Sequence, residues 1–388
     1  MMNVTSVKRI HQSDWTDSGV RFLRARDIVA AAKNEEPDDY LYISKEKYEE
    51  YSTLSGKVGV SDLLVTGVGT IGVPYLVRNL EPLYFKDGNI IWFQNLDKID
   101  GKFLFYSFSA EQIQGFINES AGIGTVGTYT IESGKKTPIS LPNQIEQAKV
   151  GEFFQQLDNL ITLHQRKYDK LQVLKKAMLE KMFPKNGSSV PEIRFKGFTD
   201  AWEQRKLGEV VKEVTRNDPT SEAPIMMITA NNGFIEQSER YAFDNAGESL
   251  KKYILLQKGE LAYNHGASKL RPFGSCFALT TAESARIPFV YHCFSAENQN
   301  AEFLSIELNG SEVESQLRKI VSSGARMDGL LNISFDEYST VTVLLPDIKE
   351  QEHIADFFRN LDHLITLHQR ELEKLQNIKK SMLEKMFV

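Results

Sequence analysis

Apolar residues recur at alternating steps of three and four along two long stretches of the chain. This spacing places them on one narrow stripe of an α-helix, as in a coiled-coil seam. We therefore predict long helices over 144–184 and 347–388, each preceded by a proline that a helix start tolerates. The predicted seam consists of Phe154, Leu157, Ile161, His164, Tyr168, Leu171 and Met178 in the first helix, and of Phe358, Leu361, Ile365, His368, Leu372, Leu375 and Met382 in the second.

The two stretches are copies of each other. Residues 141–183 align without a gap with 345–387, and 26 of the 43 positions are identical, including the whole of "LITLHQR". Such identity exceeds what a solvated helix surface needs, so it indicates a structural duplication. Two helices with the same seam most simply pack against each other as an antiparallel coiled coil.

Polar residues interrupt both copies of the seam at His164, His368, Lys175 and Lys379. One interpretation places them at the wet edge of the stripe. The other gives them a role in fixing register and orientation, which polar seam positions do at some cost in stability. A metal site from the two histidines is disfavoured because no carboxylate or cysteine cluster accompanies them.

The segments before the helices combine short apolar runs with helical patterns. Strands are predicted at 62–66, 73–77, 89–93 and 137–141, and at 224–229, 260–264, 274–280, 287–294 and 340–345, with helical segments at 100–119 and 299–321. Three correspondences follow the repeat: 62–66 with 260–264, 90–93 with 289–292, and 102–106 with 302–306. Without regular strand–helix alternation, the pattern favours an α+β fold.

These observations divide the chain into five parts. They are a first globular domain (1–143), the first long helix (144–184), a Pro/Gly/Ser-punctuated linker (185–201), a second globular domain (202–346) and the second long helix (347–388).

Two stretches match the G-x-G-x-x-G fingerprint of dinucleotide-binding proteins: "GVGTIG" at 67–72 and "GIGTVG" at 122–127. That fingerprint needs a strand before it and a helix opening on its last glycine. The first stretch runs into the strand-like "VPYLV". The second follows a helical segment and runs into "TYTIES". We therefore interpret both as tight turns and predict no nucleotide site.

Composition mainly excludes some classes of protein. The chain is 41% hydrophobic with a mean hydropathy of −0.33, and no apolar run reaches membrane-spanning length. Cys276 and Cys293 lack metal or disulfide spacing, so we expect them to be reduced in the cytoplasm. A net charge of −6 argues mildly against a chain coated in nucleic acid, although a local basic face can coexist with it.

No catalytic signature is present in the sequence. The chain has no Walker loop, no N-P-P-[YF] of an amino-methyltransferase, no G-x-S-x-G, no HExxH and no credible nuclease set.

The repeated motifs resemble those of one family. "FKGFTDAWEQRKLGEV" together with "LPxxxEQxxIxxFFxxLDxLITLHQR" and "KLQxxKKxMLEKMF", the last two present twice, look like the specificity subunit of type I restriction–modification systems. The resemblance implies that each globular domain is a target-recognition domain that reads half of a split double-stranded DNA sequence. It also implies that the paired helices act as a spacer and dock two methyltransferase subunits.

The same resemblance assigns the chemistry to partner subunits in the bacterial cytoplasm. Methyltransferase subunits would use S-adenosylmethionine, and restriction/translocase subunits would use ATP and Mg²⁺. This chain would be non-catalytic and would hold no cofactor or metal.

Candidate DNA contacts are polar residues, because Arg and Lys position phosphates while polar side chains read base edges. They are Arg24, Arg26, Thr70, Thr125, Asn264, His265, Lys269, Arg271, Ser322, Ser323 and Arg326. Arg24 and Arg26 are chosen because "FLRARDI" resembles a recurrent stretch of the family, and the others lie in the glycine turns and in the polar stretches "YNHGASKLR" and "SSGARMD". The alternative for each is a solvated loop residue and, for Arg26, a local ion pair with Asp27.

The first globular domain departs from the family pattern. The second opens with "WEQRKLGEV", for which the first has no counterpart, so we expect the first to lack an opening edge strand. Two other functions stay open: a self-contained DNA methyltransferase or nuclease, which the missing motifs disfavour, and a pure coiled-coil scaffold, which would not need two elaborate domains.

Overall fold

The computed structural model describes residues 2–122, 127–185, 187–230, 233–240, 247–321 and 331–387. The chain divides into two compact units, and each long helix contributes to both. Unit 1 is Met1–Lys167 with His368–Val388, and unit 2 is Tyr168–Leu367.

In the part of unit 1 that the structure describes, the strands form two four-stranded sheets. They are β1 (Asn3–Thr5), β2 (Trp15–Thr16), β3 (Val20–Leu23), β4 (Leu41–Ile43), β5 (Leu63–Thr66), β6 (Pro74–Leu76), β7 (Leu83–Phe85) and β8 (Ile90–Gln94). The first sheet has the order β1-β8-β5-β6 and is antiparallel. The other has the order β2-β4-β3-β7, in which β3 and β7 run parallel.

Helices cover this first sheet and connect it to the rest of unit 1. They are α1 (Ala25–Ala32), α2 (Lys45–Ser55), α3 (Gly101–Ser109), α4 (Glu111–Ser120), α5 (Ile131–Lys136) and the long α6 (Gln144–Lys181). Phe103 and Leu104 of α3 are buried with Phe154 of α6, which places the unit's main core between sheet and helices.

In the described part of unit 2, the strands form one four-stranded sheet and three strand pairs. Its strands are β9 (Glu203–Lys206), β10 (Val211–Glu213), β11 (Met226–Thr229), β12 (Gly233–Glu236), β13 (Ile254–Gln257), β14 (Leu261–Asn264), β15 (Ser275–Ala278), β16 (Ser284–Ile287), β17 (His292–Ala296) and β18 (Thr342–Leu345). The large sheet has the antiparallel order β10-β17-β14-β15, and the pairs are β11-β12, β13-β16 and β18-β9.

The helices of unit 2 repeat the arrangement of unit 1. They are α7 (Ala301–Leu308), α8 (Ser311–Ile320), α9 (Phe335–Tyr338) and the long α10 (Ile348–Met386). Phe303 and Leu304 of α7 share a core with Phe358 of α10. The predicted α+β fold with two long helices is confirmed.

The sheets β1-β8-β5-β6 and β10-β17-β14-β15 have equivalent strand orders, which confirms the internal repeat and corrects one alignment. Leu63 pairs with Phe93, and Leu261 pairs with Phe294, so β8 corresponds to β17. Residues 90–93 therefore match 291–294, and the sequence alignment with 289–292 was two residues out of register.

Two strand predictions were wrong. Residues 137–141 form no strand, whereas the equivalent β18 pairs with β9. The predicted strand over 287–294 is interrupted at 288–291, between β16 and β17. "TYTIES" leads into the short helix α5, whose N-cap Thr130 accepts a hydrogen bond from the backbone N–H of Ser133.

The beginning of each long helix is tied to a neighbouring short helix by the same polar contacts. In unit 1, the N–H of the α3 N-cap Asp100 donates to the Gln147 side chain over 3.1 Å. In unit 2, the N–H of the α7 N-cap Asn300 donates to the Gln351 side chain over 3.0 Å. The buried glutamines also donate to the carbonyls of the prolines that precede the helices. The repeated "EQ" of the sequence therefore encodes an attachment point.

Within unit 1 the beginning of α6 packs antiparallel against the end of α10. Phe154 contacts Phe387, Asp158 accepts a 2.6 Å hydrogen bond from Lys379, and the Nδ1 atoms of His164 and His368 lie 3.2 Å apart. Burial first, and then the nearby His164 ring and Lys167 charge, lower the pKa of His368.

Within unit 2 the end of α6 packs antiparallel against the beginning of α10. Lys175 donates to Asp362 over 2.5 Å, and Phe183 contacts Phe358. The seam lysines therefore form ion pairs across the helix pair. These contacts, like the paired histidines of unit 1, favour the interpretation in which polar seam residues fix register.

The predicted seam residues lie on the packed faces of α6 and α10. Phe154, Leu157, Phe358, Leu361 and Ile365 are buried, and the other seam residues are partly buried. The helix boundaries differ from the prediction by a few residues at most. No helix in the described residues has the length and apolar character needed to cross a membrane.

Candidate nucleic-acid interface

Arg24 and Arg26 lie at the start of α1. The Arg24 guanidinium donates to Asp27 and to Asp39, over 2.9 Å in each case, and its side chain is only 14% exposed. Arg26 is 59% exposed and donates to the Asp39 carboxylate as well. Burial opposes the charge on Arg24, yet hydrogen bonds to Asp27 and Asp39 raise its pKa above the usual value. The local partner of Asp27 is therefore Arg24 and not Arg26.

A third arginine, missed in the sequence analysis, belongs to the same cluster. The guanidinium of Arg21, on β3, lies 3.8 Å from the centre of the Tyr40 ring, a cation–π contact. The Tyr40 hydroxyl in turn donates to Glu36. The segment 33–40, "KNEEPDDY", thus folds over the three arginines, and its run of acidic residues was the signal in the sequence.

The first glycine stretch is a turn between β5 and β6, as predicted. Gly69 and Gly72 have φ values of +70° and +78°, which favour glycine. A Cβ on Gly67 would lie 2.6 Å from the carbonyl oxygen of Tyr129, so this position has no room for a side chain. Thr70 is exposed at the tip, and its carbonyl accepts a 2.6 Å hydrogen bond from the Thr66 hydroxyl.

Asn264 and His265 lie at the end of β14, inside unit 2. The Asn264 amide donates to the Ile228 carbonyl over 3.1 Å. His265 is 6% exposed, and each of its ring nitrogens lies 2.7 Å from a backbone carbonyl oxygen, that of Leu331 or Val290. Both side chains therefore hold backbone segments together, and their role as DNA contacts stays a prediction.

Lys269 and Arg271 belong to a turn between β14 and β15. The N–H of Ser268 donates to the Arg271 carbonyl, and the N–H of Arg271 donates to the Ser268 hydroxyl, which closes the turn and leaves Lys269 exposed at its tip. The Arg271 guanidinium donates to the Asn309 carbonyl over 2.8 Å, and burial lowers its pKa. Lys269 is thus available to a ligand, whereas Arg271 secures the turn to α7.

Four candidates, Thr125, Ser322, Ser323 and Arg326, lie outside the described residues. Within the ranges that are described, no group of three or more His, Cys, Asp or Glu side chains could hold a metal ion. Both cysteines are buried, and burial raises the pKa of each thiol.

A cavity of about 530 Å³ lies beside α7 in unit 2. Leu179, Phe183 and Phe277 supply apolar walls, and Arg271 and Glu307 are among its charged residues. Burial raises the pKa of Glu307 to about 7, so this carboxyl is substantially protonated near neutral pH.

Comparison with known proteins identifies relatives of this chain. Residues 22–173 match the family model described as the type I restriction modification DNA specificity domain. The chain is 24% identical over 311 residues to the type I restriction enzyme MjaVIII specificity subunit of Methanocaldococcus jannaschii, covering 74% of this chain and 69% of the relative.

Two further similarities agree with these matches. A putative type I restriction enzyme specificity subunit of Haemophilus influenzae, S.HindORF215P, is 31% identical over 124 residues, which is 31% of either chain. The crystal structure of a type I restriction–modification S subunit from M. genitalium shares the fold, with a TM-score of 0.57 at 13% identity over 100% of this chain and 94% of that one. The resemblance inferred from the repeated motifs is confirmed.

Proposed function

We propose that the chain is a specificity subunit of a type I restriction–modification system and that it reads a bipartite double-stranded DNA target, one half with each unit. The observation that carries this proposal is the duplicated attachment of the long helices. Gln147 in unit 1 and Gln351 in unit 2 make the same contacts. Two similar readers in one chain suit a target that consists of two half-sites.

The residues that would contact DNA differ between the units. In unit 1 they are the arginine cluster at the start of α1 and Thr70 in the β5–β6 turn. In unit 2 they are Lys269 at the β14–β15 turn and the predicted residues of 322–326. Lysine and arginine would hold phosphates, which fixes position without reading sequence.

The long helices supply a surface for two methyltransferase subunits. Leu160 and Leu163 of unit 1 are 43% and 46% exposed, and their equivalents in unit 2, Leu364 and Leu367, are 42% and 44% exposed. Each pair lies on one helix face, because residues three apart are neighbours. Equal exposure of equivalent leucines suits two copies of the same partner, one on each unit.

In this proposal the chain is a non-catalytic cytoplasmic protein. Its partners supply adenine methylation with S-adenosylmethionine, and restriction/translocase subunits supply cleavage with ATP and Mg²⁺. A self-contained methyltransferase is the alternative, and the absence of its motifs from the sequence disfavours it.

The test is methylation mapping in cells that express the chain with its methyltransferase. We expect a bipartite methylated motif that requires both proteins; a continuous motif, or methylation by this chain alone, would refute the proposal. Mutating Leu160 and Leu163 to Glu should reduce the copurifying methyltransferase from two copies to one. The Leu364→Glu/Leu367→Glu variant should do the same, and the combination should remove both.

A further inference from the structure

The carboxylate of Asp39 receives hydrogen bonds from two arginines of unit 1. Arg24 donates to both of its oxygens, over 2.9 and 3.1 Å, and Arg26 donates to one of them. Arginine forks bind carboxylate and phosphate oxygens with the same geometry. Asp39 therefore holds two cations in the arrangement that a DNA phosphate would need.

This site would persist without Asp39. The other edge of the Arg24 guanidinium is fixed by Asp27, whose side chain is 1% exposed, over 2.9 and 3.1 Å. That contact keeps Arg24 in place when its outer partner leaves. Since Arg26 is 59% and Asp39 50% exposed, a phosphate can reach the arginines from solvent.

The segment that carries Asp39 is acidic. It carries Glu35, Glu36, Asp38 and Asp39 within five residues. Hydrogen bonds from Arg24, and then the charges of Arg24, Arg26 and Arg21, lower the pKa of Asp39. Asp39 is thus charged at physiological pH, and its charge opposes an approaching phosphate.

We propose that Asp39 is an internal competitor of DNA: its carboxylate occupies a phosphate-binding site made by Arg24 and Arg26, and binding of duplex DNA displaces it. The inference rests on the proposed function, since it assumes that unit 1 binds DNA. The segment 33–40 would then weaken non-specific binding and leave the site to duplexes whose other contacts repay the displacement.

The test compares Asp39→Asn with Asp38→Asn in the full chain. Both variants remove one negative charge from neighbouring exposed positions, but among the described residues Arg24 and Arg26 form their ion pairs with Asp27 and Asp39 and not with Asp38. Affinity is measured with a labelled mixed-sequence duplex, because phosphate contacts are independent of sequence. We expect the Kd of Asp39→Asn to fall about fivefold and that of Asp38→Asn less than about twofold.

A second readout is the salt dependence of binding. In the wild type, displaced Asp39 recruits a cation and offsets the counterions that DNA releases. The slope of log Kd against log salt concentration should therefore steepen by up to about 0.9 in Asp39→Asn only. Arg26→Ala should weaken binding, and the gain from Asp39→Asn should shrink in the double variant.

The outcomes separate the two levels of the proposal. Equal effects of the two Asn variants would overturn the competitor role while leaving DNA binding intact. Weaker binding by Asp39→Asn with an unchanged melting temperature would overturn it as well. No binding by the wild type or any variant would overturn the proposed function together with this inference.

Discussion

Unit 1 and unit 2 attach their long helices by the same contacts but surround the attachment differently. Glu350, one residue before the anchoring Gln351, is fully buried and receives a bidentate pair of hydrogen bonds from Arg194, both 2.7 Å long. Its equivalent Glu146 is exposed at the start of α6. Unit 2 thus adds a clamp from the segment between the repeats.

A second difference lies inside the packing helices. Position 307 of α7 is a buried glutamate whose side chain accepts a hydrogen bond from the Leu344 N–H over 3.0 Å, whereas its equivalent in α3 is Ser107. The Ser107 hydroxyl donates to the Phe103 carbonyl within its own helix. The cap–glutamine contact is therefore kept although the helix differs about two turns further along.

The largest expected effect tests whether the two attachments are equivalent. Phe154→Ala and Phe358→Ala each remove a fully buried ring at equivalent positions. Each should destabilise its own unit by about 3–5 kcal/mol. Hydrogen exchange should rise in α3 for the first variant and in α7 for the second.

Phe153→Ala serves as the control for this pair, since Phe153 is 37% exposed. It should cost less than about 1 kcal/mol. If Phe154→Ala loosened α7 as much as α3, the description of two separate cores would be wrong.

The clamp of unit 2 should give the sharpest asymmetry. Glu350→Gln leaves Arg194 without its buried partner and should cost about 3 kcal/mol in urea unfolding. Glu146→Gln should stay within about 0.5 kcal/mol. A double Arg194→Leu/Glu350→Leu variant should recover much of the lost stability. Comparable costs for the two Gln variants would show that the Arg194–Glu350 contact does not distinguish unit 2 from unit 1.

In unit 2 a buried carboxyl should make stability depend on pH. The pKa of Glu307 is raised to about 7, so the folded state retains a proton that the unfolded state releases near its ordinary pKa. Stability from this group is present below about pH 4.5 and is lost as pH rises through about 7, on the order of 2–3 kcal/mol.

Urea unfolding at pH 5 and pH 8 measures this loss. Glu307→Gln should remove the part of the difference that this carboxyl supplies, on the order of 2–3 kcal/mol, and Glu111→Gln, at an exposed position of α4, should leave the difference unchanged. Persistence of the pH dependence in Glu307→Gln would assign it to another group.

The smallest effect concerns the ion pairs between the helices. Asp158 and Lys379 in unit 1 are each 27% exposed, while Lys175 and Asp362 in unit 2 are 32% and 50% exposed. Double-mutant cycles should give about 1 kcal/mol for the first pair and about 0.5 kcal/mol for the second, because exposure increases screening. The reverse order would show that burial does not set their strength.

The amino-acid sequence alone determined the long helices, the duplication and the turn at 67–72. These features depend on periodicity and on neighbours a few residues apart, which the chain order records directly. It also carried the family resemblance, since the repeated motifs are contiguous.

Only the tertiary structure decided which arginines form ion pairs and which segments form strands. Arg24 finds Asp39 fifteen residues away, and the strand predicted at 137–141 is not formed, whereas the equivalent β18 pairs with β9 from a distant part of the chain. Ion pairs and strand pairs join residues that are remote in sequence, so their partners are fixed by packing and not by local pattern.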